Sequence, residues 1–107
     1  MRYAGRMSVR ERWYVYLARC GDGSLYTGIA RDVEKRLAQH ESGKGARYTR
    51  GRGPISLHAS QLCLSRSRAL RLELAVKALP RDQKEGLVDA ARFRKIARAL
   101  GVPSGRS

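Results

Sequence analysis

The sequence predicts an α+β domain, a small three-stranded, largely antiparallel sheet flanked by helices. Three observations carry that prediction. Two alternating apolar runs, WYVYLARC and LYTGIA, stand either side of a short glycine turn; a third alternating run lies further on; and capped stretches of strong helix formers fill the space between and after them. At 107 residues the chain suits one domain, since domains hold on the order of 100–200 residues. A core of one sheet and two or three helices is within reach of that length.

Trp13 to Cys20 alternates large apolar and aromatic residues without a breaker and reads as the first strand. Gly21-Asp22-Gly23-Ser24 supplies a turn, and Leu25 to Ala30 returns as the second strand of a β-hairpin. Asp32 is a suitable N-cap, Val33 and Leu37 fall at i and i+4, and Ser42-Gly43 closes this first helix. The stretch GKGARYTRGRGP, Gly43 to Pro54, combines glycines, four positive charges and one tyrosine. It reads as a functional loop, too flexible for regular structure and too basic for a neutral linker. Ile55 to Leu64 is the third strand, with Ile55, Leu57, Ala59, Gln61 and Cys63 on one side. Ser65 caps a helix over 66–79 that Pro80 stops. Asp82 opens a short turn or helix ending near Gly86. Asp89 to Leu100 forms a basic final helix closed by Gly101, with Pro103 beyond. The domain is therefore placed at 13–101, between a disordered basic N-terminus (1–12) and a flexible tail (102–107).

The charge is the first functional clue. There are 23 Lys+Arg against 9 Asp+Glu, a formal net charge of +14. Such an excess repels itself unless a polyanion neutralises it, and phosphate backbones are the commonest such partner. Arginine-rich codon usage and an anionic membrane surface are the alternatives. No apolar run reaches the roughly 18 residues that a membrane span needs, and the basic N-terminus is not followed by a signal-type apolar segment. A cytoplasmic location is expected. Cys20 and Cys63 stand alone, without CxxC or histidine spacing, and read as reduced, buried small residues.

Hydrolysis of a phosphodiester needs a positioned water, a cation near the phosphate and neutralisation of its non-bridging oxygens. The carboxylates form no cluster suited to two metals, so any ion leans on one carboxylate and several waters. Glu73 stands out, because its helix is otherwise apolar on most faces; alternatively it forms an i,i+4 pair with Lys77 on a narrow polar stripe shared with Arg66. Arg36 and His40 project from one side of the first helix. A guanidinium fork suits phosphate oxygens, although a solvated arginine and a capping histidine fit the same positions. Tyr14 and Tyr16 share a face of the first strand, with Tyr26 on its partner; core packing is the competing reading.

Taken in order, Tyr14-Val15-Tyr16, Tyr26-Thr27-Gly28, Arg36, His40 and Glu73 resemble the GIY-YIG nuclease superfamily. The resemblance runs from residue 13 to about 100 and is closest to the stand-alone, single-domain bacterial branch, with WYVYLARCGDGSLYTGI, the RxxxH helix, GARYT and a later ALxxE. It implies a three-stranded antiparallel sheet flanked by helices and hydrolysis of nucleic-acid phosphodiesters with a single Mg²⁺ or Mn²⁺. By matching positions, Tyr26 would activate or position the attacking water with Tyr16 beside it. Arg36 would stabilise the transition state, His40 would assist by hydrogen bonding or proton transfer, Glu73 would hold the metal, and Tyr48 would be catalytic or contact phosphate. The first motif departs from the family pattern as Tyr-Val-Tyr and the second as Tyr-Thr-Gly. Many relatives place an asparagine after the metal glutamate, and this chain has none.

The leading expectation is thus a metal-dependent endonuclease of low sequence specificity. Its substrate is DNA in preference to RNA, in branched, single-stranded or damaged form. Lys44, Arg47, Arg50, Arg52 and the final helix would grip phosphates, with no membrane and no small-molecule cofactor involved. The missing asparagine favours the alternative, a non-catalytic or partner-dependent nucleic-acid-binding module on the same scaffold. A third reading makes the chain an RNA-associated basic protein whose motif residues are all structural.

Overall fold

In the computed structural model, which describes residues 12–45 and 47–101, alternation along the chain becomes a sheet with two different faces. β1 (Trp13–Arg19) is the central strand and pairs antiparallel with both β2 (Leu25–Ala30) and β3 (Ser56–Cys63), giving the order β2-β1-β3. Leu17 faces Thr27 and Ala59, and Val15 faces Ile29 and Gln61, so these residues share one face. Tyr16 faces Gly28 and Ser60 on the other.

The β1–β2 turn is fixed by Asp22, whose carboxylate accepts hydrogen bonds from the Ser24 backbone N–H (3.0 Å) and hydroxyl (2.6 Å). Gly23 takes the left-handed dihedral that the turn requires, φ 88°.

Four helices follow: α1 (Val33–Glu41), α2 (Arg66–Lys77), α3 (Arg81–Glu85) and α4 (Ala90–Ala99). Three begin with a carboxylate or hydroxyl that takes an otherwise orphaned N–H: Asp32 accepts from Lys35 N (3.0 Å), Ser65 from Arg68 N (3.2 Å) and Asp89 from Ala91 N (3.0 Å). Helices α2 and α4 cover the face carrying Val15 and Leu17. There Leu72, Val76, Leu87, Phe93 and Ala97 are fully buried against the sheet. Each large apolar side chain so buried contributes about 1.5–3 kcal/mol. Helix α1 covers the opposite face with Val33 and Leu37 against Tyr16, Ala18 and Ala30. Cys20 and Cys63 are both buried free thiols, and burial pushes Cys63 up to about 11.

Two details depart from the sequence reading. β3 carries an irregularity opposite Leu17/Ala18, where Ala59 pairs with Leu17 but Leu57 with Ala18. The extra residue shifts the phase, so Leu57 leaves the Ala59 side and is half exposed. The glycine-rich segment is also not loose. It contains a 3₁₀ turn at Arg47–Thr49 and is tied down at several points: Gly21 N–H donates to Arg52 O, and Ile55 N–H donates to the Glu41 carboxylate (3.0 Å). The expected disorder of the N-terminus and tail concerns residues 1–11 and 102–107, which lie outside the described residues. No helix among the described residues is long and apolar enough to cross a membrane.

Candidate active site

The hairpin register builds the site. Tyr16 sits opposite Gly28, and Tyr26 opposite Ala18 one step along, so the two phenols share the α1 face as diagonal neighbours. Their ring centroids are 6.3 Å apart. Gly28 is what lets them meet. A Cβ at that position would lie 2.7 Å from Tyr16 Oη and 2.9 Å from Tyr26 Cε2, so any side chain would displace one phenol or both.

Helix α1 starts three residues after β2 ends and lays Arg36 and His40, four apart, over this face. His40 is 2% exposed. Its Nε2 is 2.8 Å from Tyr16 Oη and its Nδ1 is 2.7 Å from the hydroxyl of Thr49, which is itself buried. The Tyr26 ring meets the imidazole edge-on at 5.2 Å and Tyr48 at 5.7 Å. Tyr48 is 41% exposed and forms the outer wall. Gly45 passes so close to the imidazole that a Cβ there would overlap Nδ1.

The electrostatics of the pair follow from burial. Tyr16 is pushed up to about 12, chiefly by desolvation and next by the neighbouring Tyr26 phenol. The Arg36 guanidinium beside it pulls the other way through hydrogen bonding and charge, and the Glu73 carboxylate adds a further upward push. His40 is held below its ordinary value, first by burial and then by the Arg36 charge. Near pH 7 the site thus holds a protonated Tyr16 phenol against a neutral imidazole, with one ring nitrogen carrying a lone pair and the other a proton.

Arg36 is half-buried; its Nη1 donates to Gln39 Oε1 (2.9 Å), which aims the fork at the phenols. Glu73 enters from α2. Its side chain is only 15% exposed and lies 3.4 Å from Lys77 Nζ. The i,i+4 pair and the approach to Tyr16 therefore coexist on one carboxylate. Arg66, seven residues before Glu73 and so on the same side of α2, stands over the Trp13 ring.

For a divalent ion, the described residues offer no cluster of three or more histidine, cysteine or carboxylate side chains. The donor set is one carboxylate, Glu73, whose charge reaches Tyr16. That fits Mg²⁺ or Mn²⁺ bound in the manner of phosphoryl-transfer sites, through one or two carboxylates with waters and substrate phosphate completing the shell.

Of the six residues singled out for catalysis or metal binding, Tyr16, Tyr26, Arg36, His40 and Tyr48 come together, and Glu73 stands on α2 near enough for its charge to act on Tyr16. The four cations assigned to phosphate binding divide. Lys44 and Arg50 are exposed beside the site, and the Arg47 side chain lies outside the described residues. Arg52 is engaged: it pairs with Asp22 and lies over the Tyr48 ring, 4.4 Å from its centroid. Its work here is to brace Tyr48 and the loop. Thr49, Gly45 and Gln39 were not singled out by sequence. The only signal for the first two is their place either side of Tyr48 in KGARYT.

Comparison with known proteins agrees with this geometry. Residues 12–85 match the GIY-YIG catalytic domain. The chain is 48% identical over 96 residues to the UPF0213 protein YhbQ of Escherichia coli O157:H7 (strain EC4115), covering 89% of this chain and 96% of that one. It is 50% identical over 78 residues to the UPF0213 protein Reut_B5558 of Cupriavidus pinatubonensis, covering 73% and 87%. Among solved structures, the solution structure of protein EF2693 from E. faecalis is similar with a TM-score of 0.53 at 37% identity, covering 77% of this chain and 88% of that one.

Proposed function

Since this chain belongs to the GIY-YIG catalytic domain family, we propose that it is a divalent-metal-dependent endonuclease that hydrolyses nucleic-acid phosphodiester bonds. Its substrate is DNA in preference to RNA, read with low sequence specificity. The observation that carries this reading is the convergence of phenols, guanidinium and neutral imidazole at one place, within reach of the charge of a lone carboxylate.

Each group has a task that its surroundings suit. Tyr26, half-buried and open to solvent through Tyr48, orients the attacking water. Tyr16 passes its proton to His40 Nε2 as it takes one from that water, and Thr49 holds the far side of the ring. The water oxygen forms a bond to phosphorus as one ester P–O bond breaks, the leaving oxygen takes a proton from solvent, and His40 afterwards returns its extra proton to solvent. Arg36 neutralises charge on the non-bridging oxygens, and Lys44, Arg47 and Arg50 hold the flanking backbone. Glu73 would hold Mg²⁺ or Mn²⁺, and that ion would supply charge neutralisation at the phosphate.

A second reading, a binding module that cuts poorly or only with a partner, is favoured by the absence of any asparagine and by the pairing of Glu73 with Lys77. One experiment separates the two: incubation with labelled single-stranded, duplex and branched DNA and with RNA, in Mg²⁺ or Mn²⁺, beside Glu73→Ala and Arg36→Ala. Product formed only by the unaltered protein supports the nuclease. Affinity without product supports the binding module, and cleavage that survives both substitutions defeats the assignment of the site.

A further inference from the structure

We propose that the groove between the start of β1 and the start of α1 is a stacking subsite for an unpaired nucleotide of the substrate strand, with Trp13 as its platform. The proposal rests on the nuclease reading above and deepens it by naming a substrate class: nucleic acid with a single-stranded nucleotide next to the scissile phosphate.

The groove has a volume of about 770 Å³ and is lined by, among others, Trp13, Tyr14, Arg31, Lys35, Arg36 and Ser60. That is within the size of sites that enclose a small organic group, on the order of 300–1,000 Å³. Trp13 is half-buried, with one part of its ring packed on the core. Two exposed guanidinium groups, Arg31 and Arg66, stand 5.9 and 5.8 Å from its centroid. Like charges gathered on one indole repel each other, and an anion placed between them relieves that repulsion.

A nucleotide answers both features at once. Its base has a π-face for the indole, and its phosphate takes the displaced arginines. Three cations line the groove against two carboxylates, and one of these, Asp32, already accepts the Lys35 N–H as the cap of α1. Glu34 is the other, and it is exposed.

Arg36 belongs to both this groove and the tyrosine site. A strand seated in the groove therefore runs directly to the phosphate that Arg36 contacts. Duplex interiors do not fit the platform, because both faces of each base are covered by neighbours. An unpaired or terminal base offers a free face.

Trp13 is the single tryptophan of the chain, so its fluorescence reports this site alone. The test titrates the protein, in EDTA to stop turnover, with labelled oligothymidylate, oligouridylate and an abasic strand of equal length. Label anisotropy follows saturation while tryptophan emission is read. At equal saturation, the base-containing single strands are expected to quench the emission by about half or more, and the abasic strand to leave it nearly unchanged. Loss of one stacked base weakens binding by about 5- to 140-fold, so Trp13→Leu should bring oligothymidylate down to the affinity of the abasic strand. Quenching by oligouridylate equal to that by oligothymidylate extends the subsite to RNA.

Equal emission from abasic and base-containing strands overturns the proposal, as does unchanged affinity in a folded Trp13→Leu protein. Should that variant fail to fold, the emission of the unaltered protein decides. Cleavage without quenching removes only the subsite, and quenching without cleavage removes only the nuclease.

Discussion

The two faces of the sheet are built from alternate residues of the same strands, yet they have opposite contents. Under α2 and α4 lie Val15, Leu17, Ala59 and Cys63, with Leu72, Val76, Leu87 and Phe93 above them, nearly all at 0% exposure. Under α1 lie Tyr16, Tyr26 and Gly28, with the α1 residue His40 above them, and the polar atoms of Tyr16 and His40 are satisfied by each other and by Thr49. One face excludes water through packing. The other arranges donors and acceptors beside a cleft. Because the strand period is 2, a residue contributes to stability or to chemistry according to the parity of its position, and the two contributions should be separable by substitution.

The largest expected effect is on the packed face. Leu17→Ala should lower the unfolding free energy by about 2–5 kcal/mol, read as an earlier denaturant midpoint. The predicted chemistry of the remaining folded fraction is unchanged.

On the other face, Arg36→Ala should reduce any cleavage rate by about 10²–10³-fold, in line with loss of one charge-stabilising donor, while the midpoint stays close to that of the unaltered protein. If instead Arg36→Ala unfolds the chain, the division between the faces is wrong.

Gly28→Ala sharpens the comparison, because it adds one methyl to the polar face. The Cβ would meet Tyr16 Oη at 2.7 Å. Overpacking of this kind costs about 1–3 kcal/mol, and here it should also cost activity by moving the phenol from His40.

The smallest effect is a pH dependence. Burial holds His40 below its ordinary 6.5 in the fold, so the unfolded chain binds its proton more readily. The stability from a neutral His40 is then fully present above about pH 6.5 and is lost as pH falls toward the lowered folded value. As pH falls below about 6.5, the denaturant midpoint should decline, with a shallower slope in His40→Gln. At lower pH, Asp22 and Glu85, both held at about 2 by hydrogen bonds to Ser24 and Arg19 respectively, add losses of their own.

How much of this was legible in the sequence follows from range. Tyr16 and Tyr26 could be placed on one face from the hairpin and its period alone, and Arg36 and His40 on one side of α1 from their spacing. Glu73 stood out by its apolar helix, but only the family resemblance favoured a metal ligand over the partner of Lys77. Three features stayed hidden. The phase shift in β3 depends on cross-strand pairing at Leu17/Ala18 and leaves no mark in the alternation of Leu57 and Ala59. The glycine-rich loop is ordered by contacts across the fold: Thr49 to His40, Gly21 to Arg52 and Glu41 to Ile55. A glycine count could not anticipate these. The clamp of Arg19 on Glu85 and His58 joins residues up to 66 positions apart and has no local signature at all.

The account's central claim is that the Glu73 carboxylate, whose charge reaches Tyr16, completes a hydrolytic site with the phenols. The most direct test is the rate at which Glu73→Gln cleaves labelled single-stranded DNA in Mg²⁺, beside the unaltered protein and at matched melting temperature. The account predicts a fall of at least about 10²-fold, to the level seen for the unaltered protein in EDTA. A rate within about threefold of the unaltered protein contradicts it.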